Sequence, residues 1–153
     1  MVSADAAITD IDITFDGSAA LVATEAGVVG RVDLVERESI GAPLMGSASQ
    51  FQSVTESPDG TLIAATGRDA ALRIWDVESG RLVGEKLEGA GAFAHFIDND
   101  RILTVGSDRG PMVWDLALDR LITIACDLAG RHLTEEELVV FGDDLVDRDR
   151  CAG

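Results

Sequence analysis

Few residues in this chain of 153 could do covalent chemistry. Its two cysteines are Cys126 and Cys151, and its two histidines are His95 and His132. A thiolate beside an imidazole is a nucleophile for acyl transfer or hydrolysis, so Cys126 with His132 is the pair to weigh. Cysteines on the apolar side of a helix are more often packing residues, and the spacing here favours that reading. Zinc needs about four ligands, usually in closely spaced pairs, and Cys126, His132 and Cys151 have no such spacing. Asp98-Asn99-Asp100 lacks the alternating acids and glycine of a calcium loop. Gly is plentiful at 16 residues, but no phosphate-cradling glycine motif follows a strand. No catalytic residue, cofactor or metal is therefore expected. His95 reads as a core or channel-lining residue of a strand. A disulfide joining Cys126 to Cys151 is open to the chain.

Charge narrows the partners. Asp and Glu number 28 against 12 Lys and Arg, a net −16. The acids are scattered, as on a solvated, aggregation-resistant surface. Lys86 is the sole lysine and the arginines are dispersed, so nucleic acid and anionic membranes are poor partners. No apolar run approaches the roughly 20 residues that span a bilayer. Met1-Val2-Ser3-Ala4-Asp5 has neither the basic start nor the apolar core of a secretion signal, which points to the cytoplasm. Apolar residues at 46 % and charged residues at 26 % suit a soluble globular protein.

The elements that position these residues repeat. Arg73-Ile74-Trp75-Asp76 and Met112-Val113-Trp114-Asp115 each close a short apolar strand, 39 residues apart. Val32-Asp33 precedes the first by 43. Asp16-Gly17 and Asp59-Gly60, also 43 apart, mark tight turns, and Asp98-Asn99 continues the series. Aligned on these turns the chain is written three times. Ile11, Ile13 and Phe15 alternate with polar residues, a period-2 strand with one apolar face. Ala20–Ala23, Leu62–Ala65 and Ile102–Val105 are apolar runs suited to strands buried on both faces. Val28-Val29, Leu72–Trp75 and Met112–Trp114 follow. An outer strand is expected at Arg81–Gly84, with a weaker signal at Pro43–Met45. A period of about 40–45 residues ending in Trp-Asp is the mark of a four-stranded propeller blade.

With its Ser-Pro-Asp-Gly turn at 57–60 and its Trp-Asp strand ends, residues 8–116 resemble the WD40 repeat family. The resemblance implies an all-β fold of about three propeller blades, an incomplete ring, over residues 1–117 (about 8–50, 51–92 and 93–117). It implies a buried network joining an Asp before the third strand to that strand's Trp, a Ser/Thr and a His. Asp69 and Asp108, each six residues before a Trp, fit the Asp role; Ala26 stands there in the first copy, and no Gly-His precedes any copy. Asp69, Trp75, Asp76, Asp108, Trp114 and Asp115 are thus structural positions. A buried carboxylate needs partners, and the Trp N–H can supply one. The family implies a non-enzymatic protein-interaction scaffold of the signalling kind, docking partners on the loops before the first strand and between the second and third. Arg68 and Arg109, flanking the Asp positions, are the candidate contacts, since Arg pairs bidentately and stacks well. The opposing reading is a hydrolase using Cys126 and His132, and a third is a structural cap for an upstream effector domain.

Residues 118–153 change character. Leu118, Leu121, Ile122, Ala125, Leu128 and Ala129 favour an amphipathic helix, although Leu121, Thr123 and Ala125 also permit a strand. Gly130 is placed to cap it, and Thr134 with Glu137 forms a capping box for a second helix. The end, from Asp143, is acidic. Residues 125–137, Ala-Cys-Asp-Leu-Ala-Gly-Arg-His-Leu-Thr-Glu-Glu-Glu, resemble the segment that closes many actinobacterial WD40 proteins, and this implies the C-terminal part of a longer propeller. Three blades leave open sheet faces. The chain would be a fragment of a larger signalling protein, pair with copies of itself, or be capped by its own tail. The fragment ranks first and self-association second.

Overall fold

A computed structural model describes residues 6–46, 50–106 and 110–117; the 118–153 tail, with its expected helices, lies outside them. Among the described residues eleven strands form three antiparallel sheets, and there is no helix. The first sheet orders β1 (Ile8–Ile13), β2 (Ala19–Thr24), β3 (Val28–Asp33) and β4 (Leu44–Met45) in sequence. The second repeats this with β5 (Phe51–Glu56), β6 (Leu62–Gly67), β7 (Ala71–Asp76) and β8 (Leu87–Glu88). The third has β9 (Phe93–Asp98), β10 (Arg101–Val105) and β11 (Met112–Asp115). The sheets belong to the compact unit Met1–Trp114, with β11 ending one residue beyond it. Within it β1 packs beside β5, and β5 beside β9.

Local chemistry accounts for the meander. In each of the first two sheets the turn after the first strand is closed by a hydroxyl and an aspartate. Thr14 Oγ1 accepts from Ala19 N and donates to Asp16, while Ser57 Oγ accepts from Leu62 N and donates to Asp59. The aspartate ending the third strand does similar work. Asp33 accepts from the backbone of Val35 and Glu36, and Asp76 from that of Ser79. Asp115 accepts from Ala117 N. These are Asx-type turns, in which a short carboxylate replaces a backbone acceptor.

The outer strand departs from expectation. At Arg81–Gly84 only Leu82 bridges to the sheet, opposite Trp75, and the paired strand is β8, against Ala71 and Leu72. Gly84 explains the break: its φ of +69° is a left-handed conformation that turns the chain off the sheet before it returns. The first sheet follows the same course, with a bridge at Ser39, Gly41 at +66°, then β4 within the expected Pro43–Met45.

The core lies between sheets. Leu21, Ala23, Val29 and Leu44 of the first meet Phe51, Val54, Ile63, Ala65 and Trp75 of the second. Phe51 and Trp75 pack edge to face, centroids 5.7 Å apart. Each such fully buried side chain contributes roughly 1.5–3 kcal/mol. The third sheet turns Ala94, Phe96, Ile102 and Thr104 inward. His95 is not a core residue: it points the opposite way on β9 and is exposed. Among the described residues no helix is long and apolar enough to cross a membrane.

Candidate partner-binding site

Of the six positions assigned structural roles, five are described. Trp75 is 1 % exposed, and its indole N–H donates to the carbonyl of Met45, 3.3 Å away in the first sheet. Trp114 is half-buried and donates instead within its own sheet, to Thr104 Oγ1 at 2.8 Å. Asp76 and Asp115 cap the turns described above. Asp69 differs from the network that the family resemblance implies: its partner is Arg73, not an indole. Arg73 Nη2 lies 2.6 Å from Asp69 Oδ2 and Nη1 lies 3.2 Å from Oδ1. Arg73 Nε donates to Gly46 O at 2.6 Å, and the guanidinium lies over the Phe51 ring, 5.9 Å from its centroid. The reason is register. Arg73 pairs with Ala65 in β6, on the face turned to the first sheet, so its side chain is 5 % exposed and must find partners there. The Arg73 guanidinium holds the Asp69 carboxyl below the usual carboxylate range.

Among the described residues this bracket has no counterpart one repeat later. Met112 stands two residues before Trp114, as Arg73 stands before Trp75, and Gly89 follows β8 as Gly46 follows β4. In place of the buried guanidinium there is a cleft of about 390 Å³ between the second and third sheets. Met112, Gly89, Gly91 and Gly106 line it, with Arg68 among the lining residues. Arg68 sits in the turn between β6 and β7, and its side chain is exposed. No salt bridge engages it among the described residues.

The cleft wall is pinned backbone. Thr66 Oγ1 donates to Ala92 O at 2.6 Å, and Ala90 N donates to Ala70 O at 2.7 Å. Gly91 and Gly106 touch so closely that a Cβ on Gly91 would lie 2.6 Å from Gly106 Cα, and Gly91 also has a φ of +89°. Both positions need glycine for this approach. A guanidinium beside a small-residue wall can fork onto a carboxylate while the wall admits an adjoining chain.

Asp108, Arg109, Cys126, His132 and Cys151 lie outside the described residues. Two charged groups escaped sequence reasoning. Arg31 and Glu56 line a second cleft of about 290 Å³ between the first two sheets, with Phe15, Asp16 and Asp59. Burial raises the Glu56 carboxyl above its ordinary value, although Phe15 N donates to it at 3.0 Å. Asp16 is held low by the Ser18 backbone N–H, then by the Ser18 and Thr14 hydroxyls. The alternation of β3 and β5 could have flagged both, since it places a charge on an inter-sheet face.

No protein-family model matches the chain. Among curated proteins it is 28 % identical over 103 residues to the small ribosomal subunit protein RACK1 of Medicago sativa, covering 65 % of this chain and 30 % of that protein. It is 27 % identical over 109 residues to the Polycomb group protein FIE1 of Oryza sativa subsp. japonica, covering 66 % and 23 %. The match thus spans less than a third of either relative. Among solved structures it resembles the WD40 repeats of RRP9 with a TM-score of 0.64 at 21 % identity, covering 74 % of this chain and 36 % of that one. The β-propeller domain of Myceliophteria thermophila Cps50 (Swd1) gives 0.65 at 15 % identity, covering 74 % and 38 %. The doubled Trp-Asp motif and the sheets that it closes are similar to those of WD40 repeat proteins, and the likeness to the solved propellers shows the fold of WD40-type β-propeller blades.

Proposed function

We propose that the chain is a non-enzymatic interaction module, and that it docks a protein partner through an acidic side chain at Arg68. The observation that carries this reading is the cleft between the second and third sheets, lined by Arg68, by Met112 and by glycine backbone. One relative is by name a component of the small ribosomal subunit, an assembly of many chains. The loop between second and third strands is where the family resemblance puts partner contacts, and Arg68 lies in it. On a chain of net charge −16, an exposed guanidinium that no described salt bridge engages is a point of selectivity. Long-range repulsion slows an acidic partner, while the forked pair forms only at contact.

The test is an array of peptides carrying Asp or Glu in varied contexts, probed with the full chain. A subset should bind, and Arg68→Glu should lose that subset at least about tenfold, as loss of one anchoring contact does. The melting temperature should not move. If no peptide binds in an Arg68-dependent way, the reading falls.

A further inference from the structure

Around the Met112 cleft the repeat departs from itself. Arg68 N donates to Gln50 O just as Glu25 N donates to Ala7 O, so Arg68 occupies the place held by Glu25 43 residues earlier. The strand beside each of these turns carries a bulge. Pairing slips between Ile8 and Asp10 in the first sheet and between Phe51 and Ser53 in the second, which makes Thr9 and Gln52 the bulged residues. A bulge leaves one residue outside the ladder and re-aims its side chain. Gln52 is half-buried and lines the cleft together with Arg68. Three exchanges thus converge on one opening: Met112 for Arg73, Arg68 for Glu25 and Gln52 for Thr9. Among the described residues no acid lines it, on a chain with 28 of them. Among those residues, too, no hydrogen bond takes up the Arg68 or Gln52 side chain.

We infer that Gln52 is a second contact residue of this cleft, and that Gln52 and Arg68 together take an internal Asp or Glu, by its carboxylate and by its own peptide N–H. This rests on the reading of Arg68 as the residue that binds an acid. An exposed ion pair contributes little by itself, so a carboxylate at Arg68 needs a second anchor. Gln52 is the other polar side chain of the described lining. Its carboxamide has an oxygen that accepts and two N–H groups that donate. A peptide group has one N–H and one carbonyl, so the two are complementary. The Gln52 oxygen accepts the N–H of the acidic residue while Arg68 forks onto its carboxylate. Apart from Met112, the rest of the lining is Gly and Ala, with Gly91 and Gly106 in close approach. Such a wall has no polar side chain with which to read the neighbours of the acid. The partner segment is therefore recognised by one carboxylate and by main chain, with small residues on either side. A cleft of about 390 Å³ is within the range of about 300–1,000 Å³ for sites that enclose small ligands. At the first junction Glu25 would repel the carboxylate and the Arg73 guanidinium is already engaged by Gly46 and Asp69, so the pairing of Arg68 with Gln52 is what distinguishes the second.

Heteronuclear NMR titration of the full chain tests this. The probes are acetate, the peptide acetyl-Gly-Gly-Asp-Gly-Gly-amide, its Glu counterpart, and the ester form of each peptide, in which the N–H of the acidic residue is replaced by oxygen. One of the two peptides should bind at least about tenfold more tightly than acetate, and Arg68→Glu should abolish binding of both. Gln52→Ala should weaken the peptide about tenfold, to the level of acetate, with acetate binding and melting temperature unchanged. Gln52→Met keeps the length of the side chain and stands in if the Ala variant fails to fold. The ester should bind wild type about threefold or more below the peptide, and Gln52→Ala should not distinguish the two. Arg68-dependent peptide binding that is indifferent to Gln52 overturns the inference and leaves the reading of Arg68 standing. An ester penalty that persists in Gln52→Ala does the same, since the N–H would then be taken up elsewhere, and so does a peptide that binds no better than acetate. If no probe binds in an Arg68-dependent way, both fall.

Discussion

Trp75 and Trp114 end the same kind of strand one repeat apart, yet their surroundings differ. The first is sealed: Phe51 stands edge-on to it, and its N–H reaches across to the Met45 carbonyl of the preceding sheet. Beside it Arg73 plugs the junction and ties Gly46 to Asp69. The second is half-buried, bonds to Thr104 of its own sheet, and has the Met112 cleft beside it. The motif is shared, but the burial is not. A repeat motif specifies a strand end, whereas its energetic weight depends on what the neighbouring sheet supplies. The interesting surface is where the repeat departs from itself.

The sharpest way to break this comparison is to remove each indole. Trp75→Ala should cost about 3–5 kcal/mol in chemical denaturation, the range for a fully buried large aromatic. Trp114→Ala should cost about half as much. Equal losses would mean that the two junctions are equally sealed.

Exchanging the plug comes next. Arg73→Met removes the partner of Asp69 and opens the first junction, and should cost about 1–3 kcal/mol, since Asp69 retains 29 % exposure and can be rehydrated. Met112→Arg should fill the second cleft with little change in melting temperature and abolish any Arg68-dependent peptide binding. Stability assays read the first exchange and the peptide array the second.

Acid should expose the bracket more gently. The folded-state value of Asp69 lies below its ordinary one, so the ionised form is favoured by folding. Its contribution is complete above the ordinary carboxylate value of about 4 and is lost as pH falls through the depressed folded value. Asp69→Asn should therefore be less stable than wild type at pH 7, with the gap narrowing on titration toward pH 2. A gap that stays constant with pH would show that the charge is immaterial.

Glu56 predicts the smallest effect, with opposite sign. Burial raises its folded-state value, so the charged form opposes folding above that value and the opposition disappears on protonation. Glu56→Gln keeps an acceptor for Phe15 N and should raise the melting temperature at pH 7 by about one or two degrees, a gain that vanishes in acid. Calorimetry at two pH values decides it.

The strands and turns were legible because their causes are local. The alternation of Ile11 and Ile13, the apolar runs of β2 and β6, and the hydroxyl–aspartate turns at Thr14 and Ser57 act within a few residues. The outer strand was misplaced for a local reason as well: Arg81–Gly84 is apolar enough to pair, but Gly84 takes a left-handed φ, and nothing in its neighbours announces that. His95 alternates like a core residue, and only the lack of a described sheet beyond it leaves it exposed. Arg68 was singled out from its place beside Asp69; that it lines a cleft follows from Met112, 44 residues away.

By itself the sequence determined the repeat, the order of strands within each sheet, and the capping of turns by Asp16, Asp33, Asp59 and Asp76. Those depend on backbone geometry and on bonds that span at most a few residues. Only the tertiary structure decided that Asp69 answers to Arg73, and that Trp75 is sealed and Trp114 is not. Each of these is settled by what the adjacent sheet presents at the same height. That pairing joins residues about 40 apart through packing, to which no local pattern is sensitive.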